Sequence, residues 1–94
     1  MAEASDGVRN DPEHERFVFP ANGTFGAVYY QLAPGIITFT HTEVPPEIGG
    51  RGIATKLARH ALDYARLHRL KVVPECPVVA AYMRKHPEYE DLRA

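Results

Sequence analysis

Tryptophan is absent from this chain of 94 residues, cysteine occurs once and methionine twice. A single cysteine, Cys76, cannot close an internal disulfide, so the fold must rest on a core instead of covalent staples. His14, His60, His68 and His86 stand at no spacing from Cys76 or from one another that suits zinc, and no metal is expected. A dominant charge is also missing. Eleven basic and 12 acidic side chains leave a net charge of −1, which gives the chain as a whole no pull toward nucleic acid. No apolar run approaches the ~20 residues of a membrane span or the apolar block of a secretory leader. The expectation is a cytoplasmic protein with no membrane partner.

What is present suffices for one small domain. Hydrophobic residues make up 45% of the chain, enough for a core at this length. Residues 1–14 carry Glu3, Asp6, Asp11 and Glu13 with almost no large apolar side chain and read as a flexible acidic leader, leaving 15–94 as the domain. Basic residues gather between Arg51 and Lys71, where six face a single acid, Asp63. Without interleaved aromatics that stretch reads as a solvated helix face that steers anionic ligands.

The pattern along the domain is β-β-β-α-β-α. Arg16 to Phe19 forms a first strand, Asn22-Gly23 is a strong hairpin signal, and Phe25 to Gln31 returns antiparallel. Ala33-Pro34-Gly35 turns the chain into Ile36 to Thr42, a β-branched and aromatic run. From Gly52 to His68, Ala54, Leu57, Ala58, Ala61, Leu62 and Ala65 share one helical face, small enough to lie close on a sheet. Leu70 to Val73 is a short strand, Pro77 opens a second helix reaching about His86, and Pro87 to Ala94 is a polar tail. The strand, helix and strand from His41 to Val73 make a βαβ crossover with parallel strands. If those strands splay, a groove opens at the helix start, where open α/β sheets bind ligands.

Gly49-Gly50-Arg51-Gly52 precedes that helix. Glycines let amides converge, a helix start leaves further N–H groups unpaired, and the dipole adds about half a positive charge. An anion is the natural occupant. The spacing is not that of a nucleotide P-loop, because Lys56 is displaced, nor of a dinucleotide fingerprint, because Ala54 stands where a glycine is required.

The fragment Gly50 to Leu57 resembles the acetyl-CoA loop of the GNAT superfamily of acetyltransferases, Gln/Arg-x-x-Gly-x-Gly/Ala, with Gly52 and Ala54 at its last two fixed positions. Gly49 departs from the pattern where Gln or Arg is usual. His41 to Pro45, Pro74 to Pro77 and His86 to Tyr89 are similar, in order, to the small YjdJ-type GNAT-like proteins, over roughly residues 16–92. The resemblance implies an abbreviated GNAT fold of α/β (α+β) class, an antiparallel meander leading into a splayed parallel pair.

It further implies that Thr42, Glu43 and Val44 offer main-chain groups to the pantetheine arm, as in strand addition. Gly49, Gly50, Arg51, Gly52, Ile53, Ala54 and Thr55 then hold the pyrophosphate, with Lys56 as a further cation. Tyr82 matches the tyrosine that protonates the leaving thiolate, and Cys76 and Tyr82 border the cofactor.

Acetyl transfer needs a base for the amine and an acid for the thiolate. Glu43 and His41 are the candidate bases; their alternatives are a solvated strand-end carboxylate and a hydrogen-bonded sheet histidine. Cys76, ahead of a proline-started helix, is either an acyl acceptor or a small residue packed beside the pantetheine. Tyr82 is either the acid or a core tyrosine. The implied activity is N-acetyltransfer from acetyl-CoA to an amine, with a protein among the conceivable acceptors, by a monomer or weak dimer. A weakly catalytic CoA-binding module acting through a partner protein, and a phosphate- or nucleotide-binding domain unrelated to CoA, are the alternatives.

Overall fold

A computed structural model describes residues 7–50 and 52–94. Its five-stranded sheet follows chain order, with β1 Arg9–Asp11, β2 Arg16–Ala21, β3 Thr24–Ala33, β4 Ile36–Glu43 and β5 Lys71–Pro74. The first three pairings are antiparallel, and β4 runs parallel to β5 across α1, Ile53–Leu67. A second helix, α2, spans Pro77–Lys85. The expected β-β-β-α-β-α order is present, preceded by one further strand.

Local chemistry explains the meander. Asn22 and Gly23 both take positive φ, 51° and 78°, the pair of left-handed residues that a two-residue hairpin loop demands. Gly35 does likewise, with φ 74°, between β3 and β4.

One face of the sheet carries Phe17, Val28, Tyr30, Ile37 and Phe39, all buried, and α1 lays Leu57, Ala58, Ala61, Leu62 and Ala65 against it. The alanines bring the helix close. At Gly26 the approach leaves no room for a side chain, since an added Cβ would stand 3.0 Å from Ile53 Cγ2 and 3.4 Å from Val44 Cγ2. Val79 and Met83 of α2 complete the same core. Both α-helices lie on this face, and among the described residues neither covers the other face of the sheet.

Two segments differ from their sequence reading. Of residues 1–14, assigned to a flexible leader, 1–6 lie outside the described residues, while 9–14 form β1 and a 3-10 turn over Pro12–His14. Pairing with β2 and the Asp11 carboxylate's bond to Arg16 Nε, 2.9 Å, hold this strand, so an apolar pattern is not what makes it. The tail is likewise packed: Pro87–Leu92 forms a 3-10 helix that buries Tyr89 and Leu92. Tyr89 donates to Asp63 Oδ1 at 2.6 Å, and Ala94 N donates to Val72 O at 2.9 Å.

Arg66 clamps that tail, donating through Nη1 and Nη2 to the two Asp91 carboxylate oxygens at 3.0 and 2.9 Å and through Nη2 to Glu88 O at 2.7 Å. The Arg66 guanidinium holds the Asp91 carboxyl below its ordinary range. A carboxyl depressed on folding stabilises above its unfolded pKa of about 4 and loses that contribution as pH falls through the lower folded value. Asp91→Asn should therefore lower the thermal midpoint at pH 7 and leave it unchanged near pH 2, as differential scanning calorimetry at the two pH values will show.

Candidate functional site

Four parallel pairs, from Ile36–Lys71 to Phe39–Pro74, join β4 to β5. The Cys76 amide then donates to the Phe39 carbonyl at 2.8 Å, and beyond that bond the strands separate. From Thr40 to Glu43, β4 is paired only with β3, which leaves one main-chain edge open in the manner expected of a splay.

A bulge decides where the side chains of this segment go. Tyr29 pairs with His41 and Tyr30 with Phe39, so Thr40 is one residue in excess. Without it, His41 would follow Phe39 into the core. With it, Thr42 lies opposite the buried Val28 on the helix-covered face, while His41 lies opposite Tyr29 on the uncovered one. The candidate residues thus fall into two groups on opposite faces of β4.

On the covered face, Thr42 Oγ1 lies 2.9 Å from Cys76 Sγ. Cys76 is fully buried and is the N-cap of α2, though its side chain caps no amide. Its partner is a hydroxyl, neither an imidazole nor a carboxylate. Across the Thr42–Cys76 bond the two diverging strands remain tied through side chains after their ladder has ended.

Ahead of α1, a 3-10 turn over Pro46–Ile48 leads to Gly49, which is extended, and then to Gly50 and Gly52, with φ 80° and 72°. A Cβ added at Gly50 or Gly52 would meet nothing within 4 Å. Gly52 is the N-cap of α1, no side chain caps the helix and no acid sits in its first turn. The amides of Ile53, Ala54 and Thr55 therefore lack intrahelical partners. The Ile53 side chain is in the core, so only its main chain serves the loop. Arg51 lies outside the described residues. Lys56 directs its ammonium over the Phe19 ring, 5.1 Å from its centroid.

Thr55 also borders a groove of about 240 Å³ between α1 and α2, with Val78, Ala81, Tyr82 and Lys85. The Tyr82 ring stacks on His86 at 4.1 Å and meets Tyr89 at 5.8 Å. Burial, foremost, pushes the Tyr82 phenol above the ordinary tyrosine range, with Arg59 opposing the rise. The hydroxyl keeps its proton at neutral pH. Lys85 stands three residues from Tyr82 on one helix and so shares its face.

On the uncovered face, His41 stacks flat on Tyr29, centroids 4.4 Å apart and planes 11° apart, and its Nε2 lies 3.4 Å from Glu43 Oε2. Both side chains are more than half exposed, at 52% and 68%, so their mutual attraction is small and the Tyr29 stack does the holding. The Tyr29–His41 pairing is invisible to strand periodicity, because only the bulge sets the two rings opposite each other. Val44 returns to the helix-covered side, its Cγ2 beside the Gly26 position that Ile53 and Leu57 of α1 also approach. Farther along the uncovered face the donor atoms of Asp11, Glu13 and His14 lie within 4.8 Å of one another, but Asp11 Oδ2 is already engaged by Arg16 and His14, each at 2.9 Å.

Residues 16–92 match the family model of the GCN5-related N-acetyltransferases. The chain is 32% identical over 83 residues to Protein NATD1 of chicken, covering 85% of this chain and 76% of that one. With Protein NATD1 of human it is again 32% identical over 83 residues, covering 85% and 74%. The solution structure of a GCN5-like protein from Staphylococcus aureus superposes with a TM-score of 0.71 at 22% identity, covering 93% of this chain and 86% of that chain. This last likeness shows the fold.

The Thr42–Cys76 bond should be energetically visible. A double-mutant cycle of Thr42→Val and Cys76→Ala, followed by urea unfolding, should return a coupling of about 0.5–1.5 kcal/mol. Strict additivity would mean that the bond contributes nothing.

Proposed function

The chain belongs to the GCN5-related N-acetyltransferase family, and on that premise we propose that it binds acetyl-CoA across the β4–β5 splay and transfers the acetyl group to an amine. The observation that carries the reading is the uncapped start of α1 behind Gly50 and Gly52, beside a strand edge that β5 leaves open. Convergent amides with no competing carboxylate suit a pyrophosphate. The open main chain of Thr42 to Val44 suits an amide-bearing arm, which can pair with it as an added strand does. Tyr82, Lys85 and Thr55 line the adjoining groove.

When bound, acetyl-CoA supplies an activated thioester. The chain's own groups manage protons around it. Glu43 and His41 are proposed to accept the proton that the amine loses, directly or through water, and the Tyr82 hydroxyl, kept neutral by burial, to return a proton to the sulfur.

Direct transfer is favoured over an acyl-Cys76 step. A thiol nucleophile needs a base within reach, and the hydrogen-bond partner of Cys76 is the Thr42 hydroxyl. Cys76 is then a packing residue at the floor of the splay.

Titration calorimetry with CoA and thiol release from acetyl-CoA in the presence of amines test both halves. CoA should bind in the micromolar range. Gly52→Val should lose that binding while far-UV circular dichroism stays native, because a branched residue resists φ 72° and turns the loop amides away from their common point. Cys76→Ala should retain turnover within about tenfold. Acetyl mass on Cys76 together with complete loss in that variant would establish the covalent route instead. Binding without turnover would mark a CoA-binding module, and no binding would remove the reading altogether.

A further inference from the structure

Behind α2 the chain folds back on itself at His86-Pro87-Glu88-Tyr89. Pro87 opens a 3-10 turn at once, so that His86 and Tyr89 both reach the Tyr82 ring. His86 stacks on it, centroids 4.1 Å apart and planes 23° apart, and Tyr89 meets it at 5.8 Å and 48°. Two rings thus hold a third on the last turn of a nine-residue helix, where an end left to itself frays.

The hydroxyl of that third ring is uncommitted. Among the described residues Tyr82 Oη has no hydrogen-bond partner, whereas Tyr30 donates to Asn10 at 2.7 Å and Tyr89 to Asp63 at 2.6 Å. A tyrosine serving the core alone gains from the bond that those two make. A fixed ring with an unspent donor is what a general acid requires. Its proton must come within hydrogen-bond reach of the atom that receives it, and a misplacement of about 1 Å can cost ~10²-fold in rate.

The two bracing rings are themselves anchored. Tyr89 is bound to Asp63 of α1, and Arg66 of α1 lies over the Tyr89 ring at 5.7 Å while holding Glu88 O and Asp91. His86 is set by its amide, which donates to Tyr82 O at 3.0 Å, with Nδ1 lying 3.6 Å from Glu88 Oε2. The start of α1 carries the uncapped glycine loop, and its Thr55 shares a groove with Tyr82. One helix therefore sets both the acid and the phosphate cradle.

Resting on the acetyl-CoA reading above, we propose that His86 and Tyr89, the latter through Asp63, are positioning residues that aim the Tyr82 hydroxyl at the departing sulfur. In that step the amine nitrogen bonds to the carbonyl carbon and gives up a proton to Glu43 or His41. The C–S bond breaks, the Tyr82 proton passes to sulfur, and solvent returns both side chains to their starting protonation.

The test follows thiol release from acetyl-CoA by the whole chain, with hydroxylamine as an acceptor small enough to need no pocket. CoA affinity is read separately by titration calorimetry. Tyr82→Phe should lower kcat about 100-fold. His86→Ala should lower kcat about tenfold and leave CoA affinity within about twofold, and His86→Phe, which keeps a flat ring, should recover most of that loss. Tyr89→Phe, which keeps its ring and drops the Asp63 bond, should lower kcat about threefold without moving KM. Reduced thermal stability with kcat unchanged in the His86 and Tyr89 variants, or a loss that His86→Phe does not recover, would overturn the brace and leave Tyr82 as the acid. Full turnover in Tyr82→Phe, or none in the wild type despite CoA binding, would overturn the acid and the brace together. Loss of CoA binding by the wild type would remove the cofactor reading as well.

Discussion

Phe39 is the last residue of β4 that β5 supports, and the Cys76 amide on its carbonyl is the last bond before the two strands part. Much else depends on that termination. Had the parallel ladder continued, Thr40 to Glu43 would have spent both main-chain edges on neighbouring strands, and no cleft would face the start of α1. Pro74 sits at this point, opposite Phe39, and has no amide with which to carry the ladder onward. Pro77 then opens α2 and draws the chain away from the sheet. A residue type chosen for what it cannot do thus creates the cleft.

The Thr40 bulge gives the cleft its chemistry. One added residue sends Thr42 to the buried thiol and His41 and Glu43 to the solvated face. A hydroxyl–thiol pair, which needs little hydration, sits with its thiol buried and its hydroxyl half-buried, and the imidazole and carboxylate stay where water can support their charge. The buried thiol and the imidazole–carboxylate pair thereby fall on opposite faces of one strand, with the open edge of β4 between them.

Most of the fold was legible in the sequence because local signals agree with tertiary ones. Asn22-Gly23 demands a hairpin, the alanine face of α1 demands a close partner, and Pro77 marks a helix start; each holds in the structure. What escaped notice lacks a local signal. β1 is short and polar and is held by pairing and by Asp11–Arg16. The tail packs through Tyr89 and Leu92, isolated among charges, and through an Arg66 clamp reaching across 25 residues. The glycine loop carries its signal in its residue type, and Gly50 and Gly52 take the positive φ that glycine alone adopts freely. The division of His41 and Glu43 from Cys76 was not legible, since strand alternation alone cannot reveal a bulge.

The central claim is that the β4–β5 splay and the start of α1 form one cofactor cradle. Amide-resolved NMR of the protein titrated with CoA alone tests it most directly. The account predicts concerted shifts at Gly50, at Gly52 to Thr55 and at Thr42 to Val44, with the amides of Ile53 to Thr55 moving downfield as they acquire acceptors. Shifts confined to either segment, or centred on the β1–β2 end of the sheet, would contradict it.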